Sequence, residues 1–100
     1  MKKSFKEIQS ILKSHKAKLI EKYGIKEIGI FGSYVRGEEN KNSDVDILVE
    51  FSRDSCISLL DFVELENYLT DLLGIKVDLV EKTSLKPSIG ERVRKEVVML

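Results

Sequence analysis

Three aspartates and one Gly-Ser pair carry the chemistry that this 100-residue sequence can perform. Asp44-Val45-Asp46 sets two carboxylates two residues apart, Asp78 stands alone within Gly74-Ile75-Lys76-Val77-Asp78-Leu79-Val80, and Gly32-Ser33 precedes Asp44 by ten intervening residues. Carboxylate oxygens suit hard divalent cations, and two cations about 3.5–4 Å apart hold both the attacking and the leaving oxygen of an in-line displacement. A Gly-Ser turn that opens a helix offers backbone N–H groups and a hydroxyl to an anion. The combination predicts metal-assisted phosphoryl transfer, with magnesium carrying a nucleoside triphosphate. Taken singly, each piece has a plainer reading: Gly32-Ser33 as an ordinary turn, Asp44-Val45-Asp46 as the entry to a strand after a polar loop. Their joint spacing favours the site.

These residues need elements to position them. Ile25-Lys26-Glu27-Ile28-Gly29-Ile30-Phe31 predicts a buried strand that stops in the Gly-Ser turn, and Ser33–Arg36 a short helix. Arg36, one helical turn past Ser33, can reach the same anion or remain a surface charge. Asp44 to Phe51 alternates with period two, which places Val45, Ile47, Val49 and Phe51 on one face and both aspartates on the other, roughly 6.6 Å apart along the strand. Residues 74–80 predict a third strand with Asp78 buried mid-strand, where a charge is costly unless paired or metal-bound. Asp78 is therefore either a metal ligand or general base, or the partner of Lys76 or Lys26.

The remaining order is helix, strand, loop, strand, helix, strand, helix. Ser4-Phe5-Lys6-Glu7 predicts a capping box ahead of a stripe of Phe5, Ile8, Ile11, Leu12, Leu19 and Ile20 that ends near Gly24. Ser58 opens a second helix with Leu59, Phe62, Val63, Leu65, Tyr68, Leu69 and Leu72 on a broad apolar face, stopped by Gly74. Pro87 fits the first turn of a last helix in which Ile89, Val93 and Val97 recur and Glu91 faces Lys95. Tyr34 either stacks on a base or fills the gap beneath the short helix. His15 reads as a solvated or boundary residue and Cys56 as core. The fold class predicted is α+β, a small mixed sheet covered by helices.

A hydrophobic content of 42% over 100 residues supports one core, so residues 1–100 read as a single domain. One cysteine excludes an internal disulfide, no Cys/His spacing suggests zinc, and neither a membrane span nor a signal peptide is recognisable. The expectation is a soluble cytoplasmic protein. Zero net charge conceals an uneven distribution: residues 1–22 hold seven lysines against two glutamates, and residues 37–71 hold ten acids against Lys41 and Arg53. A protein that tracks a nucleic-acid backbone needs a basic groove, and here the aspartate motif lies in the acidic stretch. Direct nucleic-acid binding is not expected. A basic protein partner is.

Gly32-Ser33, the ten-residue interval, Asp44-x-Asp46 and Asp78 on a later strand resemble the nucleotidyltransferase superfamily that includes DNA polymerase beta. Leu72 to Val80, Leu85-Lys86-Pro87 and Glu91-Arg92-Val93 extend the resemblance over nearly the whole chain, toward the minimal nucleotidyltransferases of prokaryotes. That resemblance implies an antitoxin that transfers AMP from ATP onto tyrosines of a HEPN-domain ribonuclease toxin, in a possible hetero-oligomer. It implies Asp44, Asp46 and Asp78 as catalytic and metal-binding residues with magnesium as cofactor, and Gly32, Ser33 and Arg36 as nucleotide-binding residues. Two other functions remain open on the sequence: an antitoxin that neutralises by contact alone, and a transferase for a small molecule such as an antibiotic. Three converging carboxylates argue against the first, and the lack of room for a second domain argues against the second.

Overall fold

The computed structural model describes residues 3–40 and 42–100, so of the charges counted above those of Lys2 and Lys41 lie outside the described residues. Helix α1 (Phe5–Tyr23) leads into strand β1 (Ile25–Phe31), the four-residue helix α2 (Ser33–Arg36) and strand β2 (Val45–Phe51). Helix α3 (Leu59–Leu73), strand β3 (Val77–Glu81), a 3-10 turn (Lys82–Ser84), helix α4 (Pro87–Glu96) and strand β4 (Val98–Met99) follow.

The two long helices begin and end on local chemistry. The Ser4 hydroxyl accepts the Glu7 N–H at 3.2 Å while the Glu7 carboxylate accepts the Ser4 N–H at 3.4 Å. Ser58 and Asp61 repeat the exchange at 3.1 and 3.2 Å at the start of α3. Each reciprocal cap satisfies donors that the first helical turn leaves unpaired, worth about 1 kcal/mol apiece. Gly24 and Gly74 end the helices, their N–H groups closing the last turns on the carbonyls of Ile20 and Thr70.

The sheet has the order β3-β2-β1-β4, with β2 and β3 parallel and the other pairs antiparallel. This is the α+β fold with a small mixed sheet that the sequence predicts. Leu12 and Leu19 of α1, Leu65 and Leu69 of α3 and the inward residues Ile47 and Val49 of β2 are almost wholly buried in one layer between helices and sheet. Burying each such side chain contributes roughly 1.5–3 kcal/mol. The period-two alternation of β2 holds: Val45, Ile47 and Val49 face this core, while Asp46, Leu48 and Glu50 face the other way. On that second face α4 covers Leu48 with Val93, both buried.

Two short elements escaped the sequence reading. The 3-10 turn follows β3, and β4, only two residues long, pairs Val98 with Ile30 and Met99 with Gly29. The outer edge of β3 is closed by α3, whose Thr70 hydroxyl and Glu66 carboxylate accept the N–H groups of Val77 and Leu79 at 3.1 and 2.9 Å. Several expectations are corrected. Cys56 is exposed in the loop before α3, Leu59 is 79% exposed at the first turn of that helix, and Ile89 and Ile20 are also exposed. Val97 caps α4 instead of extending it, although Glu91 and Lys95 do pair at 4.0 Å. His15 is half-buried, its Nδ1 at 2.9 Å from the Ile11 carbonyl oxygen. Among the described residues no helix is long and apolar enough to cross a membrane.

Candidate active site

Strand register brings the candidate residues together. Phe31 pairs with Asp46 across β1 and β2, and Asp46 pairs with Asp78 across β2 and β3. Asp44 precedes Asp46 by two residues on the same strand path, so three carboxylates gather where β1 ends and β2 and β3 begin. Just past Phe31 the chain turns at Gly32 with φ +83°, and the Gly32 carbonyl accepts the Val35 and Arg36 N–H groups at 3.1 and 3.2 Å as α2 starts. A Cβ on Gly32 would stand 1.9 Å from Oδ2 of Asp46. Glycine is required here twice, for the left-handed backbone and for the space that the carboxylate occupies.

The electrostatics follow from this crowding. Burial pushes the Asp46 carboxyl up from its ordinary 3.8 to about 6, and the negative charges of Asp78 and Asp44 add to the push. Arg36 opposes it and Glu96 reinforces it. A carboxylate that is partly desolvated beside two others gains from a cation, and an oxygen-only donor set suits a hard divalent ion better than zinc. Among the described residues no three His, Cys, Asp or Glu side chains are drawn together as a ready-made metal cluster. The three aspartates share one end of the sheet without closing on a single point.

Ser33 opens α2, half-buried, beside Gly32. Asp78 is exposed rather than buried, and it pairs with neither Lys26 nor Lys76. The period-two pattern explains the correction: Val77 and Leu79 take the buried, inward positions and Asp78 faces the other way. Arg36 is held by two carboxylates, Nε donating to Glu38 at 2.8 Å and Nη1 donating to Glu96. Tyr34 is 3% exposed beneath α2, so its ring fills the core and does not present a face to a base.

Glu96 is the residue that the sequence reading missed. It ends α4, accepts the Gly32 N–H at 3.2 Å and takes Arg36, with its side chain only 14% exposed. One signal was present: an acid in the last turn of a helix opposes the helix dipole, which favours cations there. Away from the aspartates, at the opposite end of the sheet, a cavity of about 650 Å³ opens between Phe51, Ile57, Leu59 and Phe62.

Known proteins resemble this chain in sequence and in fold. A protein adenylyltransferase MntA of Thermococcus cleftensis is 57% identical over 95 residues, covering 95% of this chain and 94% of its own. A minimal nucleotidyltransferase of solved structure superposes with a TM-score of 0.74 at 34% identity, covering 93% of this chain and 95% of that one. A chain from a toxin-antitoxin structure solved with AMP-PNP superposes with a TM-score of 0.70 at 27% identity, over 86% of this chain and 69% of its own. Residues 12–100 match the family model of the nucleotidyltransferase domain, and it is to that family that this chain belongs.

Proposed function

We propose that this protein is a magnesium-dependent protein adenylyltransferase that works as an antitoxin, moving AMP from ATP onto a HEPN-type ribonuclease toxin. The observation that carries the reading is the register that sets Asp46 opposite Asp78, two residues from Asp44 and against Gly32. The 57% identity to an adenylyltransferase supports the choice of AMP as the transferred group. Asp44, Asp46 and Asp78 would hold magnesium, which when bound neutralises phosphate charge and fixes the triphosphate for in-line attack. Ser33 and Arg36 grip phosphate oxygens, and Gly32 forms the turn that presents them to the nucleotide. An acceptor hydroxyl oxygen bonds to the α-phosphorus of ATP, the bond to the β-phosphate oxygen breaks, and pyrophosphate leaves. Asp78, the exposed carboxylate, either binds the catalytic metal or takes the hydroxyl proton. The acceptor is a surface of the partner, and the acidic stretch around the motif favours a basic one. The protein is read as a single cytoplasmic domain that forms a hetero-oligomer with its toxin.

Intact-mass spectrometry tests the proposal. Incubating the genomic neighbour toxin with this protein and magnesium ATP adds one or more AMP units to the toxin and silences its ribonuclease activity, and Asp44→Asn abolishes both effects. Equal neutralisation by Asp44→Asn, with no mass change, assigns the protein to inhibition by contact instead.

A further inference from the structure

The geometry points to Glu96 as a positioning residue that sets Arg36 and the Gly32 turn for the incoming triphosphate, an inference that rests on the nucleotidyltransferase reading of the site. Each oxygen of the Glu96 carboxylate has a separate task. Oε2 accepts the Gly32 N–H, and Oε1 accepts Nη1 of Arg36. Glu38 takes Nε of the same guanidinium at 2.8 Å. Of five guanidinium N–H donors, two are thereby fixed and three, one on Nη1 and both on Nη2, remain for an anion.

The backbone beneath Glu96 is equally fixed. Val97 closes α4 through its N–H to the Val93 carbonyl, Val98 and Met99 pair with Ile30 and Gly29, and the Leu100 N–H donates to the Ile28 carbonyl at 3.0 Å. Glu96 is thus tied to β1 directly beside the turn it holds. Nothing about α4 itself calls for an acid at this point, since the helix end disfavours it and Asp46 lies close by. Its two donors hold it there. Stripping both donors from a carboxylate so withdrawn from water is costly, so a phosphate is added to the Glu96-Arg36 pair and does not displace it.

Calorimetric titration of magnesium ATP into wild type, Glu96→Gln, Arg36→Ala and the double variant tests this, with melting temperatures taken alongside. Glu96→Gln weakens binding about tenfold, the scale of one charge-assisted contact, with the melting temperature within about 2 °C of wild type. In the Arg36→Ala background the same change adds at most about twofold, the share carried by the Gly32 turn, because the larger part of the effect passes through Arg36. Equal weakening in both backgrounds overturns the inference, as does unchanged or tighter binding by Glu96→Gln, which marks Glu96 as a displaceable stand-in for phosphate. If Glu96→Gln melts far below wild type, Glu96→Asp decides: it keeps the charge but shortens the reach, so weaker binding that is mostly absent in the Arg36→Ala background upholds the inference, while equal weakening in both backgrounds, or affinity unchanged from wild type, overturns it. A wild-type protein that binds no magnesium ATP fails the underlying reading of the site instead.

Discussion

The two ends of the sheet are built on opposite terms. Where β1 stops and β2 and β3 start, Gly32, Asp44, Asp46 and Asp78 crowd negative charge around a turn with no room for a side chain. Where β1 starts and β2 and β3 stop, Ile25 pairs with Phe51, the Phe51 and Phe62 rings meet edge to face at 6.5 Å, and the cavity of about 650 Å³ lies alongside. Large apolar pockets are the default place to look for a ligand. This one is lined by four serines as well as apolar side chains and lacks convergent charge: among its described lining residues the only acid is Glu81, whose carboxylate already accepts the Thr83 hydroxyl at 2.9 Å. On the proposed reading of the aspartates, location of charge, not volume, marks the chemical end of this fold. It also implies that the chemical end carries a stability cost and the apolar end supplies cohesion.

The largest effect separating the two ends is expected for Asp46→Asn. Losing a cation ligand removes several kcal/mol of transition-state stabilisation, so AMP transfer falls about a thousandfold in a labelled-ATP assay. Stability moves the other way. Between pH of about 4 and about 6 the folded protein holds a proton on Asp46 that the unfolded chain releases, so the folded state loses stability as pH rises through that window. The cost is fully present above about 6 and absent below 3.8. Asp46 is partly solvated, so screening reduces this to about 1 kcal/mol. At neutral pH without metal, Asp46→Asn should therefore melt about 4–8 °C higher than wild type. A lower melting point for the variant would break the claim that the aspartate end is held together against its own charge.

At the other end, Phe62→Ala removes the ring that packs on Phe51 and should cost about 2 kcal/mol in urea unfolding, with magnesium ATP affinity within about twofold of wild type. If affinity falls with stability, the two ends are coupled and the comparison fails. The smallest effect is assigned to Ser33→Ala. One hydroxyl donor among several contributes about 1 kcal/mol, so transfer should drop about fivefold with unchanged melting. A loss as large as that of Asp46→Asn would mean that the serine and aspartate roles have been exchanged.

Much of the molecule was legible before any coordinates because its signals are local. Ser4 with Glu7, Ser58 with Asp61, Gly24 and Gly74 delimit α1 and α3 through bonds made within a few residues, and strict alternation sets the faces of β2. The joint spacing of Gly32-Ser33 and Asp44-Val45-Asp46 marked them as one site, but the close approach of Gly32 to Asp46 became visible only in the folded chain. What escaped depends on partners far along the chain. Strand β4 is two residues that become a strand only by pairing with β1, and Glu96 acquires a role only beside Gly32, sixty-four residues earlier. Asp78 was read as buried because its sequence neighbours are apolar, yet those neighbours turn inward and leave it at the surface. Cys56 and Leu59 failed in the same way, since hydrophobic character does not reveal that a loop and a first helical turn lie outside the core.

The sealing of β3 by Thr70 and Glu66 reaches beyond the strand itself. An edge strand with open N–H groups is a template on which any extended segment can add another strand, and such growth is how sheets fuse and aggregate. Here the outward N–H groups on either side of Asp78 are already spoken for by the neighbouring helix, and the opposite edge, β4, is two residues long. Sheet continuation is thereby blocked on the side where Asp78 stands. Another chain must approach it through side chains, and the carboxylate stays open to small solutes and to a partner's surface without inviting a second copy to zip onto the sheet.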